Sequence, residues 1–440
     1  MKVAVVGTGI AGLSAAWLLR RHADVTVYEQ SGYAGGHTHT FLVPGGPPVD
    51  TGFIVFNERN YPHLTALFRH LGVATQETDM SFSASIDAGR VEYAGDNLDT
   101  LFAQRWNLFD RSHWRMLLDI VRFNRDAKRA LRSGLAPELT LGQFILRGGY
   151  GDELSRRYLL PMAAAIWSCP VGAMLQFPAA SFLRFFENHG LLGLMDRPRW
   201  RTVTGGSHEY VKKLMASLGE RLRLDTAVTA VRRVGGAVRI WDAKGGVADY
   251  DQVVMAMHPD QALKLLAGAT SGERRLLGAF RFQDNRVLLH TDATLMPKRR
   301  KVWAAWNYLS DQSVSRRSRV SVTYWMNRLQ RLGGDADYFV SLNPLQEPAA
   351  GSVVYETVYA HPVFTREAIA AQQQLPGIQG ADRLWFCGAW TGYGFHEDGL
   401  RSAVEVAQGL GATAPWLDAA AAGPEREAQP AWTGALAPEA

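Results

Sequence analysis

The stretch Val3-Ala4-Val5-Val6-Gly7-Thr8-Gly9-Ile10-Ala11-Gly12-Leu13-Ser14-Ala15-Ala16-Trp17-Leu18-Leu19 decides the fold. An apolar strand runs into a G-x-G-x-x-G turn, and the turn opens an apolar helix. A second β-branched run, Val25-Thr26-Val27-Tyr28, ends at Glu29. Each part has a physical task. Gly7 permits the tight turn, Gly9 lets a pyrophosphate approach the backbone, and Gly12 lets helix and strand pack closely. The helix start offers N–H groups and positive dipole to phosphate. Glu29 stands where a carboxylate accepts hydrogen bonds from a ribose hydroxyl. Glycines alone describe an ordinary turn. Strand, glycines, helix, second strand and acid in this order predict a dinucleotide site.

Working outward, 440 residues allow a large core and two domains. Apolar residues make up 47% and charged residues 20%, the balance of a globular protein. The only cysteines, Cys169 and Cys387, argue against a disulfide framework, fit a reducing compartment and suit buried structural roles. The first strand begins so early that no signal peptide is expected before it. A net charge of +5 permits an anionic partner without demanding one.

Residues 61–199 lose the β signal and read mainly as helices. Strands return at 221–228, 237–241 and 253–257, then at 320–326, 353–359 and 384–387, with a closing helix from about Gly399. The expected class is α/β. Residues 1–60, 200–262 and 380–412 form a discontinuous nucleotide domain, interleaved with a mixed α+β substrate domain of residues 61–199 and 263–379. The Ala-, Pro- and Glu-rich residues 413–440 are expected to be disordered. Residues 158–183 carry no formal charge over 26 positions, long enough for a membrane helix. Pro161, Pro170 and Pro178 would break such a helix, so the segment is expected to form the wall of an apolar cavity.

Further motifs follow in order: Gly35-Gly36-His37, Asp50-Thr51-Gly52-Phe53, Thr204-Gly205-Gly206-Ser207, Thr226-Ala227-Val228, Trp385-Phe386-Cys387-Gly388 and Glu397-Asp398-Gly399-Leu400-Arg401-Ser402-Ala403. Together they resemble the amine oxidase and phytoene desaturase superfamily of FAD enzymes. The resemblance implies a glutathione-reductase-type, Rossmann FAD-binding domain with noncovalent FAD. It implies that Gly7, Gly9, Ile10, Ala11 and Gly12 hold the pyrophosphate and that Glu29, followed by Gln30, holds the adenosine ribose. Gly35, Gly36 and His37 would line the phosphate and ribityl side, continued by Gly52 and Phe53. Val228 would meet the adenine edge. Gly388, Asp398, Gly399 and Leu400 would approach the pyrophosphate and the flavin pyrimidine ring. Two positions depart from the pattern: His37 stands where an arginine is usual, and Ala389 where an acid is usual. Cofactor contacts must differ there.

A narrower resemblance rests on Trp167-Ser168-Cys169-Pro170, Phe185-Phe186-Glu187-Asn188-His189, Met257-His258-Pro259-Asp260, Met296-Pro297-Lys298-Arg299-Arg300, Trp303-Ala304-Ala305-Trp306-Asn307-Tyr308, Thr323-Tyr324-Trp325-Met326-Asn327 and Gly394-Phe395-His396-Glu397-Asp398-Gly399. These are similar to a bacterial family of predicted FAD/NAD-binding proteins associated with cyclopropane-type fatty-acid methyltransferases. That resemblance implies desaturation of a long, methylated fatty-acyl chain on the route to furan fatty acids, with the methyltransferase as functional partner.

Flavin dehydrogenation needs a substrate C–H over flavin N5, a dry site and a base for the second proton. His396, three residues before Gly399, is the first candidate base, with a stacking wall as its alternative. Glu397 is the second candidate; its alternative, like that of Asp398, is to complement a helix N-terminus. His258 and His361 each precede a proline and are expected in loops. No cluster has metal-ligand spacing.

Residues 104–132 read as a basic helical region with interleaved Trp106, Phe109, Trp114 and Phe123. Lys298 to Lys301 and Arg316, Arg317 and Arg319 add two more basic clusters. Such mixtures are either solvated faces or the contact of a peripheral protein with an anionic bilayer; no nucleic-acid motif accompanies them. The reading is a cytoplasmic FAD-dependent oxidoreductase, peripheral on the inner face of the cytoplasmic membrane, acting on a phospholipid acyl chain. Three rivals stay open: a flavin amine oxidase, a non-redox flavoprotein such as a sugar-nucleotide mutase, and a non-catalytic partner of the methyltransferase.

Overall fold

The structure is a computed structural model and describes residues 1–136, 138–167, 171–193, 198–311 and 321–417. Ser168, Cys169, Pro170, the cluster Arg316, Arg317 and Arg319, and residues 418–440 lie outside the described residues.

A five-stranded parallel sheet carries the first motif. Its order is Leu222–Arg223, Asp24–Tyr28, Lys2–Val6, Gln252–Met255 and Leu384–Phe386. Both faces of this sheet are buried, which explains the unbroken apolar run from Val3 to Val6. Val3 and Val5 pack on one side with the helix Ile10–Leu19, while Ala4 and Val6 pack on the other with Phe386 and Met255. That alternation is the period of two of a strand. The helix Ile10–Leu19 is buried along its whole length, because the sheet and the helices His208–Leu218 and His396–Gly409 surround it. Full burial is why it has no polar face to read.

A seven-stranded sheet stands beside it. Its order is Val353–Val363, Arg281–His290, Phe339–Leu342, Ser321–Trp325, Trp306–Leu309, Phe82–Ile86 and Val91–Ala94. All neighbours run antiparallel except Trp306–Leu309 with Phe82–Ile86. A separate core of Phe123, Leu160, Phe182, Phe186, Tyr308 and Val340 joins this sheet to the helices Arg111–Ser133, Leu160–Trp167 and Ala179–Asn188.

Several expectations are corrected. Residues 61–199 are mainly helical, but the β signal that the sequence does not show is present too: Thr75–Thr78, Phe82–Ile86 and Val91–Ala94 are strands. Phe82–Ile86 is rich in Ser and Ala and the other two are only four residues long with polar residues inside, so local signal is weak and pairing with neighbouring strands holds them. The expected strand 221–228 is interrupted at Asp225, whose φ is +51°. Val228 therefore begins the strand Val228–Val234 instead of ending one. The closing helix starts at His396, three residues before the expected Gly399. Residues 413–417 are ordered against the body: Trp416 stacks with Trp17 and donates to His63 Nδ1 at 3.1 Å. No helix among the described residues is long and apolar enough to cross a membrane.

Candidate active site

The first glycine turn forms an open cradle. Gly7 sits at φ +104°, a region costly for other residues, and a Cβ there would lie 2.6 Å from Ala256 O. A Cβ on Gly12 would lie 2.0 Å from Gly7 O, so strand and helix meet too closely for any side chain. Gly9 caps the helix Ile10–Leu19 without a side-chain bond, and nothing lies within 4 Å of where its Cβ would stand. The first amides of that helix, at Ile10 and Ala11, have no acceptor inside the helix. A Cβ on Gly36 would close to 3.1 Å of Gly9 Cα. The chain thus keeps this spot bare at a helix N-terminus, as a bound diphosphate requires.

Glu29 is oriented at the rim. Its carboxylate accepts N–H bonds from Thr8 at 3.1 Å and Ser31 at 2.9 Å, and also the Thr8 hydroxyl. Thr226 N–H donates to Glu29 O at 2.7 Å, which brings the segment leading into Val228 beside the acid. Gln30 is exposed just beyond.

The two helix starts converge. Gly388 N–H donates to Ser402 Oγ at 3.0 Å, tying the end of Leu384–Phe386 to the closing helix. Asp398 folds back to accept from Tyr393 N–H at 2.9 Å and Phe395 N–H at 3.0 Å, and pairs with Arg401 at 2.7 Å. This back-bonding is why the helix begins at His396. Leu400 lies in the core, so only its backbone faces the junction.

An apolar cavity of about 270 Å³ opens beside this junction. Gly52, Phe53 and His37 form one wall; Met162, Ile166 and Trp167 from the segment 158–183 form another. His396 also lines it. The His396 ring lies flat on Phe53, with centroids 3.7 Å apart and planes 14° from parallel. Its Nε2 is 2.9 Å from Thr38 Oγ1 and 3.1 Å from Tyr210 OH. Burial pushes its pKa down to about 3, so the imidazole is neutral. His37 is held well below the ordinary value by burial and by His361, His258 and His396 nearby. His361 is pushed down to about 4, again chiefly by burial.

Glu397 does not line the cavity. Its carboxylate accepts His63 N–H at 2.9 Å and Leu64 N–H at 3.0 Å, at the start of the helix Pro62–Leu71. One residue along a helix turns the side chain by about 100°, which places adjacent His396 and Glu397 on different faces. Burial raises the Glu397 pKa to about 7.

The structure adds residues that the sequence reading missed. Tyr359 and His361 lie on the strand Val353–Val363 and both meet His37, at centroid distances of 4.7 and 5.6 Å. They are two apart and so share one face. His361 is therefore not in a loop; Pro362 is tolerated because this strand is an edge of its sheet. His258 does lie outside a helix or strand, as expected, at the position just before the short helix Pro259–Leu265 and without a side-chain bond to it. Thr38 and Tyr210, the partners of His396, carried no recognisable motif.

A bare helix-start cradle, an oriented acid at its rim and a second helix start beside an apolar cavity define a flavoprotein built on a doubly wound sheet. Residues 10–280 match the family model described as flavin containing amine oxidoreductase. The chain belongs to this family of FAD-dependent oxidoreductases, and FAD is its cofactor. One stretch is 37% identical over 92 residues to tryptophan 2-monooxygenase of Allorhizobium ampelinum, covering 20% of this chain and 12% of that protein. The fold is similar to a redesigned double mutant of putrescine oxidase, with a TM-score of 0.69, 15% identity, and 93% of this chain and 98% of that chain covered. It is also similar to a fatty acid isomerase from P. acnes that produces CLA, with a TM-score of 0.65, 15% identity, and 92% and 98% covered.

Proposed function

We propose that this chain dehydrogenates a long fatty-acyl chain, with a methyl-branched acyl chain of a phospholipid as the substrate and an acyl methyltransferase as its functional partner. One observation carries the reading: among the described residues, none that lines the cavity is Asp, Glu, Lys or Arg. An extended hydrocarbon loses its water in such a site and leaves no buried charge unpaired. An amine would arrive there without a carboxylate to receive it. Similarity of fold does not choose between the two, since it extends to both a putrescine oxidase and a fatty acid isomerase.

When bound, FAD supplies a hydride acceptor at flavin N5. Gly7, Gly9, Gly12 and Gly36 with the Ile10–Leu19 helix start would hold its diphosphate, and Glu29 its ribose. Phe53, Met162, Ile166 and Trp167 position the chain and exclude water. The first hydrogen leaves as hydride and the second as a proton, which the neutral imidazole of His396, tied through Nε2 to Thr38 and Tyr210, takes up. Glu397 supports the site indirectly, by holding the start of the helix Pro62–Leu71.

The test is a lipid mass profile from a host lacking both activities, expressing an acyl methyltransferase with and without this chain. Methylated acyl chains two hydrogens lighter only when the chain is present support the proposal. Unchanged profiles alongside a yellow purified protein remove the substrate class.

Amine oxidation is the second reading, favoured by the family match and by the aromatic walls Trp306, Tyr324 and Tyr359, which suit a cation over ring faces. Peroxide release with a panel of amines would select it.

A further inference from the structure

We propose that the outer face of the helix Arg111–Ser133, with the turn before it and the segment Lys298–Lys301 beside it, docks this protein on an anionic lipid bilayer. The proposal deepens the acyl-chain reading and rests on it for where the substrate resides.

The helix presents two unlike faces. His113, Met116, Phe123 and Ala127 are buried. Arg111, Trp114, Arg115, Leu118, Val121, Arg125, Arg129 and Arg132 are exposed and recur every three or four residues, so they share the opposite face. The apolar members are far out in water: Phe109 is 89% exposed, Leu118 70% and Val121 61%. Most of the large apolar residues exposed among the described residues fall between Leu98 and Leu146, on this side of the molecule. Nothing among the described residues covers them.

The two basic clusters meet here. Arg299 lies over the Trp106 ring at 5.4 Å, and Lys301 reaches Asp99 at 2.5 Å. Trp114 Nε1 donates to Leu108 O at 2.9 Å, fixing the turn against the helix. Arg122 donates to Gly148 O and Gly149 O, which brings the loop after Leu146 to the same surface.

Charge supplies the argument for the partner. Residues 98–132 hold eight Lys or Arg against four Asp. Each of the four acids is already engaged: Asp99 by Arg105 and Lys301, Asp110 by Arg157, Asp119 by Arg122 and Asp126 by Arg125. Arg111, Arg115, Arg129 and Arg132 make no ion pair among the described residues. Unpaired guanidinium groups between exposed Trp, Phe and Leu side chains match a surface with anionic headgroups above and hydrocarbon below.

The test is co-sedimentation of the full-length, FAD-loaded protein with vesicles of phosphatidylcholine alone or mixed with phosphatidylglycerol. Binding to the mixed vesicles only, weakened by salt, is expected. Phe109→Ser with Leu118→Ser, and Arg111→Gln with Arg115→Gln and Arg129→Gln, should each lower partitioning about tenfold or more while the protein stays yellow. Fluorescence of the unmodified protein supplies a second readout: vesicles with brominated chains should quench Trp106 and Trp114, and the quenching should vanish in a Trp106→Phe, Trp114→Phe protein. No binding to mixed vesicles, or variants that sediment like the parent, overturns the docking surface, including in favour of a protein partner. Vesicle binding without loss of two hydrogens keeps the surface and removes the acyl reading. Turnover of detergent-dispersed lipid without vesicle binding does the reverse.

Discussion

A Cβ at Gly399 would stand 2.8 Å from Ile10 Cγ2 and 3.5 Å from Ala389 N, so the helices Ile10–Leu19 and His396–Gly409 touch near where each begins. Gly399→Val should force these starts apart. The expected cost is about 1–3 kcal/mol of overpacking, with a fall in flavin content. The melting temperature and the flavin-to-protein absorbance ratio check it; a fully yellow variant with unchanged melting would remove the junction from the FAD site.

Glu29 is positioned by two backbone N–H groups before any ligand arrives. Glu29→Ala should weaken FAD binding by about 1.5–3 kcal/mol, the range for a hydrogen bond to a charged group. Titration of apoprotein with FAD, followed by flavin fluorescence, gives the number directly. Gln30→Ala, one residue on and exposed, should bind as the parent does.

His396→Phe keeps an aromatic ring on Phe53 and removes the nitrogen. If His396 takes the proton, turnover should drop by about 10²–10⁴ with FAD retained. Turnover equal to the parent's would leave His396 as a wall only. Tyr210→Phe, which removes one partner of Nε2, should give a smaller loss.

Acid should destabilise the fold in a definable window. His37, His258, His361 and His396 have folded pKa values below the ordinary 6.5, so the unfolded chain binds more protons than the folded one as pH falls. Their contribution is complete above pH 6.5 and is lost as pH falls toward their folded values, at a slope of about 1.4 kcal/mol per pH unit for each group that titrates. Glu397 acts oppositely: its folded pKa of about 7 exceeds its ordinary 4.5, so stability from it declines as pH rises between the two. Urea melts between pH 4 and 8 should show His361→Gln flattening the acid limb and Glu397→Gln removing the decline toward neutrality.

What was legible in the sequence was what is local. Val3 to Glu29 reads correctly because strand, turn, helix and acid follow one another, and each glycine has a neighbour within the same unit or in the adjacent strand. The strand Phe82–Ile86 was hidden because Ser83 and Ser85 look like loop residues until Asn307 and Glu92 accept their hydroxyls. His361 was read as a loop residue from Pro362, a rule that fails on a sheet edge. The start of the closing helix was misplaced because Asp398 caps backward from inside it, whereas the reading took the glycine as the boundary. His396 and Thr38 are 358 positions apart, and no spacing rule reaches that far.

The strand Leu384–Phe386 completes a sheet that Lys2–Val6 begins, and the helix His396–Gly409 packs on Ile10–Leu19. A ribosome making this chain therefore exposes the glycine turn long before the elements that enclose it emerge. The coenzyme pocket is a late product of synthesis, assembled only after the intervening cavity-forming segments have been threaded between its two parts. Flavin uptake thus reports that synthesis and folding have both passed the helix His396–Gly409, and a chain stopped short of residue 400 should leave the ribosome colourless.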